Sequence, residues 1–201
     1  MKKLPFLALL LFSTISFAQR MNVTKGDFSI LAGQKDVSIE FNYSNLKLMK
    51  ENLTESQYIE KRKNELNEKT RGIGDAWAKK WEGAKEGIWQ PKFLELLAAT
   101  ATKDKDIAFI EGSKSVKYTL IVDVVWIYPG WDVGMMKQPA KLSTILRIVD
   151  AANRSNILLE VTTENAPGDQ WGNNYSNESR IGESFAKTAK SFGKMIVKEL
   201  R

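Results

Sequence analysis

The sequence predicts an α+β fold: a mixed, mostly antiparallel sheet with helices packed on it. Three features carry that prediction. Between about residues 116 and 163 stand three β-branched, apolar runs of strand length, Tyr118–Tyr128, Leu142–Asp150 and Asn156–Thr163, separated by turn chemistry, as in an antiparallel meander. Upstream, a charged helical pattern opens on Thr54-Glu55-Ser56-Gln57, a capping box. At the end, Ile181, Phe185, Ala189, Phe192, Ile196 and Leu200 form an apolar stripe of helical period.

Taken in order, residues 1–18 have the layout of a secretory signal peptide. Lys2 and Lys3 precede the apolar run Leu4–Phe17, and Ser16-Phe17-Ala18 suits cleavage. Residues 19–201 then read as a single exported α+β domain, periplasmic or secreted, and the Lys/Asn-rich composition has a bacterial look. The run is short for a bilayer span and nothing later is apolar enough to be one, so no membrane span is expected. Without cysteine no lipid-bearing residue follows the signal.

Arg20–Gly26 is a polar lead-in, and Phe28–Leu31 a candidate short strand. Val37, Ile39, Phe41 and Tyr43 alternate with Ser38, Glu40 and Asn42, which argues a strand with one buried face. The helix begun at Thr54 extends to about Arg71, where Gly72 and Gly74 interrupt it. Its helical face resumes through Ile73, Trp77, Trp81 and Ala84. The Gly72–Gly74 pair lacks the preceding strand and third glycine of a phosphate loop. Gly87–Pro91 reads as a break before another helix to about Thr102, and Ile107–Ile110 as a short strand. Six N-x-S/T sequons, at Asn22, Asn42, Asn52, Asn153, Asn174 and Asn177, fall where an Asn-rich chain places them by chance.

Within the meander, parity puts Tyr118, Leu120, Val122, Val124, Trp126 and Tyr128 on the core face. Leu142, Thr144, Leu146, Ile148, Ile157, Leu159 and Val161 join them. The opposite face is mixed, and a short turn at residues 152–155 sets Arg147 opposite Glu160.

Cysteine and histidine are both absent. This removes thiol and imidazole catalysis, Ser-His-Asp triads and His/Cys metal sites, and no calcium-loop spacing occurs. No metal, cofactor or nucleic-acid partner is expected. The net charge of +6 permits contact with anionic envelope polymers or lipid head groups, as does the row Lys187, Lys190, Lys194, Lys198 and Arg201.

The positive functional signal is in two long connections at the same end of the meander. One carries Tyr128, Trp131, Met135 and Met136, the other Trp171 and Tyr175. Exposed aromatics on connections held by a rigid sheet suit partner binding; aromatics tucked beneath those connections would instead be small satellite cores. The leading reading is a non-enzymatic exported envelope protein that binds another envelope component, protein or glycan, through these six residues. The alternatives are a glycan hydrolase using two of Asp123, Asp132, Glu160 and Asp169, and a carrier of a small apolar ligand.

The segment Leu146-Arg147-Ile148-Val149-Asp150-Ala151-Ala152-Asn153-Arg154-Ser155-Asn156-Ile157-Leu158 follows Tyr118–Val124 and precedes a closing helix that ends Gly193-Lys194-Met195-Ile196-Val197-Lys198-Glu199-Leu200. It resembles the periplasmic domains related to the curli secretion lipoprotein CsgG, the amino-terminal domain of TolB and the penicillin-binding-protein activator LpoB. The resemblance covers the second half of the chain. It implies a mixed sheet with helices on its faces and a non-enzymatic place in an envelope assembly. The missing lipid-bearing cysteine breaks that pattern, and no functional residue is carried over.

Overall fold

The structure, a computed structural model, describes residues 19–133, 136–168 and 176–201. The sheet has the order β1-β10-β9-β6-β2-β5. Its central part is the expected meander, β6 (Tyr118–Tyr128), β9 (Lys141–Asp150) and β10 (Ile157–Pro167), antiparallel throughout. On one side β2 (Asp36–Asn42) runs parallel to β6, and β5 (Ala108–Glu111) runs parallel to β2. On the other side β1 (Arg20–Gly26) pairs antiparallel with β10. The polar lead-in is therefore an edge strand. Met21 alone is half-buried and the rest of the strand is exposed, so its sequence shows no alternation to read.

Parallel neighbours need a crossover. Between β2 and β5 the chain makes a small hairpin, β3 (Lys47–Leu48) with β4 (Leu53–Thr54), then a helical layer. Helix α1 (Glu55–Lys69) starts at the capping box: Thr54 Oγ1 accepts from Gln57 N at 3.3 Å and Gln57 Oε1 accepts from Thr54 N at 2.9 Å. Helix α2 (Ile73–Ala84) follows. Where a break was expected, the chain continues through a π-helical turn at Lys85–Trp89 into α3 (Gln90–Leu97). Gln90 N bonds Lys85 O across that turn, and Pro91, next in line, has no N–H to place. A second π turn, Ala98–Thr102, leads into the short α4 (Lys103–Lys105).

The closing helix α5 (Asn177–Glu199) packs along α3, its apolar stripe buried against helices and sheet. Its two glycines meet the two π turns. A Cβ on Gly182 would lie 2.9 Å from Ile88 Cγ2, and one on Gly193 only 1.9 Å from Thr100 Oγ1. Phe28–Leu31, expected as strand, is a single 3-10 turn, because the Asp27 side chain accepts from Ser29 N at 2.8 Å.

The core face of the meander is as expected up to Val124. There a bulge intervenes: Val124 faces Thr144 and Trp126 faces Ser143, so Val125 is the extra residue. Parity inverts beyond it. Ile127 is fully buried, while Trp126 and Tyr128 stack on each other on the other face, rings 6.2 Å apart and 11° from parallel. A second irregularity between Ile157 and Leu159 moves Ile157 off the core face too. The mixed face of the sheet stays open. There Arg147 lies opposite Glu160, as the turn length predicts, and joins it at 2.7 Å while also pairing with Asp123.

Candidate functional site

The first long connection is itself a hairpin rather than a loop. Strands β7 (Trp131–Val133) and β8 (Met136–Gln138) pair beyond the sheet end. Gly130 begins it at φ +69, and any Cβ there would come within 2.4 Å of Gln138 O, so only glycine fits. The base of the second connection lies alongside, since Gly168 N donates to Ala140 O at 2.8 Å. The two connections thus leave the sheet side by side, as meander geometry requires.

Beneath β7 a groove of about 400 Å³ opens between α1, residues 128–133 and the first turn of α5. Tyr58, Lys61, Arg62 and Glu65 line it from α1, spaced as one helical face. Tyr128 and Trp131 line the opposite side, Met49 and Leu53 one end, and Asn177 and Arg180 the floor. Met49 is held by Trp126, whose Nε1 donates to Met49 O at 2.9 Å.

The floor is unusual for its buried charge. Arg180 is 5% exposed; its guanidinium donates to Asn177 Oδ1 and, at 3.4 Å, to Pro129 O. Burial holds its pKa below the ordinary arginine value, against the pull of Asp132 and Glu178. Burial likewise pushes the Tyr58 hydroxyl up to about 12, so it stays a neutral donor. The two lining carboxylates each have a cation, Glu65 with Arg62 at 3.1 Å and Asp132 with Lys137 at 3.4 Å.

Of the expected contact residues, Tyr128 and Trp131 both line this groove, Trp131 at 39% exposure. Met136 stands on the hairpin facing Val133, each 64% exposed. Met135, Trp171 and Tyr175 lie outside the described residues. Tyr58, Arg62, Asn177 and Arg180 were not anticipated. Tyr58 and Arg62 leave a trace in the sequence as part of the 58/61/62/65 spacing on an otherwise polar helix, whereas Asn177 and Arg180 leave none.

Among the acids considered for hydrolysis, Asp123 and Glu160 converge on Arg147 on the open sheet face, not on the groove. Asp132 lies in the groove, and Asp169 is outside the described residues. Among the described residues no group of three or more Asp and Glu could hold a metal ion, and no helix is long and apolar enough to cross a membrane.

No family model matches the chain, and no characterised protein matches it by sequence. Among solved structures it is similar to the PelC dodecamer from Paraburkholderia phytofirmans, at 12% identity and TM-score 0.39, over 86% of this chain and 96% of that one. A single-substitution variant of that PelC gives 10% identity and TM-score 0.36, over 85% and 96%.

Proposed function

We propose that this chain is an exported, non-enzymatic protein of the bacterial envelope and that the groove beside Trp131 holds a stretch of envelope glycan. The observation that carries the reading is the composition of the groove wall. Three aromatic side chains, Tyr58, Tyr128 and Trp131, share a groove of about 400 Å³ with Arg62, Glu65, Asn177 and Arg180. Aromatic faces cover the apolar side of a sugar ring, while fixed polar groups orient its hydroxyls. The signal-like residues 1–18 supply the compartment in this proposal, and the resemblance to envelope-assembly domains agrees with a role in binding rather than catalysis. Each carboxylate in the groove already has a cation beside it, which suits recognition better than acid–base work.

Titration with fragments of envelope polysaccharide, read by tryptophan fluorescence, tests the proposal. Trp131→Ala should weaken binding by about 2 kcal/mol, roughly thirtyfold, the scale of an interface anchor. Its melting temperature should hold, since the side chain is 39% exposed. A protein partner bound through the hairpin with no glycan bound at all would defeat the glycan reading.

A further inference from the structure

Helix α5 carries a second surface that the groove does not use. At 3.6 residues per turn, Lys187, Lys190, Lys194 and Lys198 fall within an arc of about 80° and follow one another for about 16 Å along the axis, and Arg201 follows just past the helix end. All five are exposed. No acid occurs in the sequence between Glu183 and Glu199. Glu183 is taken by Lys92 at 2.7 Å. Glu199 sits off the arc and pairs with Lys198 at 3.3 Å.

Many cations elsewhere on the molecule are matched. Lys35, Arg62, Lys63, Lys85, Arg147 and Arg154 each have a carboxylate partner. Lys187, Lys190 and Lys194 have none among the described residues. The helix dipole explains cations only in the last turn, here Lys198, and not Lys187 or Lys190 near the middle. The start of β1 adjoins the row, since Ser191 Oγ bonds Gln19 Oε1 at 2.9 Å, and this brings Arg20 into the neighbourhood with the same sign.

We propose that this row is a binding track for a linear anionic polysaccharide bearing carboxylates along its length. A single file of evenly spaced ammonium groups matches a chain of repeating negative charge, and association releases the counterions of that chain. A bilayer fits less well. Surface-lying helices set apolar side chains beside their cations, whereas here Ile181, Phe185, Phe192 and Ile196 are all fully buried in the core. Among the described residues the large exposed hydrophobics, Val23, Ile73, Ile110, Trp131, Val133 and Met136, all belong to other elements. The track is independent of the groove and stands or falls separately from it.

The test is fluorescence anisotropy of the full chain with fluorescein-labelled polygalacturonate over a salt series. Three proteins are compared: the wild type, the triple variant Lys187→Gln/Lys190→Gln/Lys194→Gln, and a charge-matched control, Lys79→Gln/Lys80→Gln/Lys114→Gln. The α5 variant should lose about tenfold or more in affinity at low salt, and its slope of log affinity on log salt should fall by about two. The control should lose less than about twofold, and both variants should melt like the wild type because every changed residue is exposed. Three results overturn the proposal: no polymer binding by the wild type at low salt, equal losses in both variants, or α5-dependent binding to phosphatidylglycerol vesicles with none to the polymer.

Discussion

Arg147 is the residue whose environment makes the firmest demands. Its guanidinium holds two carboxylates at once, and Asp123 is 9% exposed and also accepts from Asn42 Nδ2 at 2.6 Å. Arg147→Met leaves two acids facing each other without their cation, so a loss of about 2–3 kcal/mol in denaturant unfolding is expected. Glu160 gives the accompanying pH signature. The Arg147 hydrogen bond, then that of Thr24, holds its pKa below the ordinary carboxylate value. A depressed folded pKa contributes stability that is complete above about pH 4.3, the unfolded value, and is lost as pH falls through the folded one. Stability between pH 5 and 3 should therefore fall more steeply in the wild type than in Arg147→Met. Carboxyl-detected NMR should show the Glu160 midpoint rising in the variant. This pair was legible because the turn at residues 152–155 sets register by arithmetic. Trp126 and Tyr128 were not, since one inserted residue at Val125 inverts parity and nothing in a β-branched run marks which residue is extra.

At the scale of elements, the same contrast separates local from tertiary causes. The capping box at Thr54 is local chemistry, and Thr54→Ala should lower stability by about 1 kcal/mol. The continuous run from α2 to α4 is a tertiary outcome. Gly87 and Pro91 lower helix propensity, yet Trp81, Trp89, Phe93 and Leu97 are fully buried and Trp89 stacks on Phe185 with centroids 5.7 Å apart. Burying aromatics of that size outweighs a weak local preference for a break. The price of close helix packing is set at Gly193, where any side chain strikes Thr100 Oγ1. Gly193→Ala should destabilise by about 1–3 kcal/mol through overpacking. Thr100→Ala removes the struck atom, along with its bond to Leu96 O at 2.9 Å. In a double-mutant cycle the pair should then show favourable coupling, the double variant being more stable than the sum of single effects predicts.

For the whole molecule, the layering decides where stability resides. Helices cover one face of the sheet and solvent reaches the other, so the core lies between α5, the α2–α3 unit and the meander. Strands β6 and β9 sit at the centre of the strand order, flanked on both sides, while β1 and β5 end it. Leu120, Val122, Leu146 and Ile148 are fully buried, but β1 is exposed along nearly its whole length and has β10 as its strand partner on one side only. Opening β1 uncovers little apolar surface, whereas opening β6 dismantles the core. Native-state hydrogen exchange should therefore be graded across the sheet. Amides of Leu120, Val122, Leu146 and Ile148 should exchange only through global unfolding, following denaturant with the full equilibrium slope, while those of β1 should exchange earlier through local opening with a shallow slope. Equal protection in β1 and β9 would mean that the edge strand is bound into the core by more than its pairing with β10. The groove is built at the boundary between these regimes, with Tyr128 at the end of β6 and Trp131 on a hairpin that projects past the sheet. Its strand-borne wall should accordingly be protected while its hairpin wall exchanges freely, and ligand in the groove should slow exchange in β7 without altering β9.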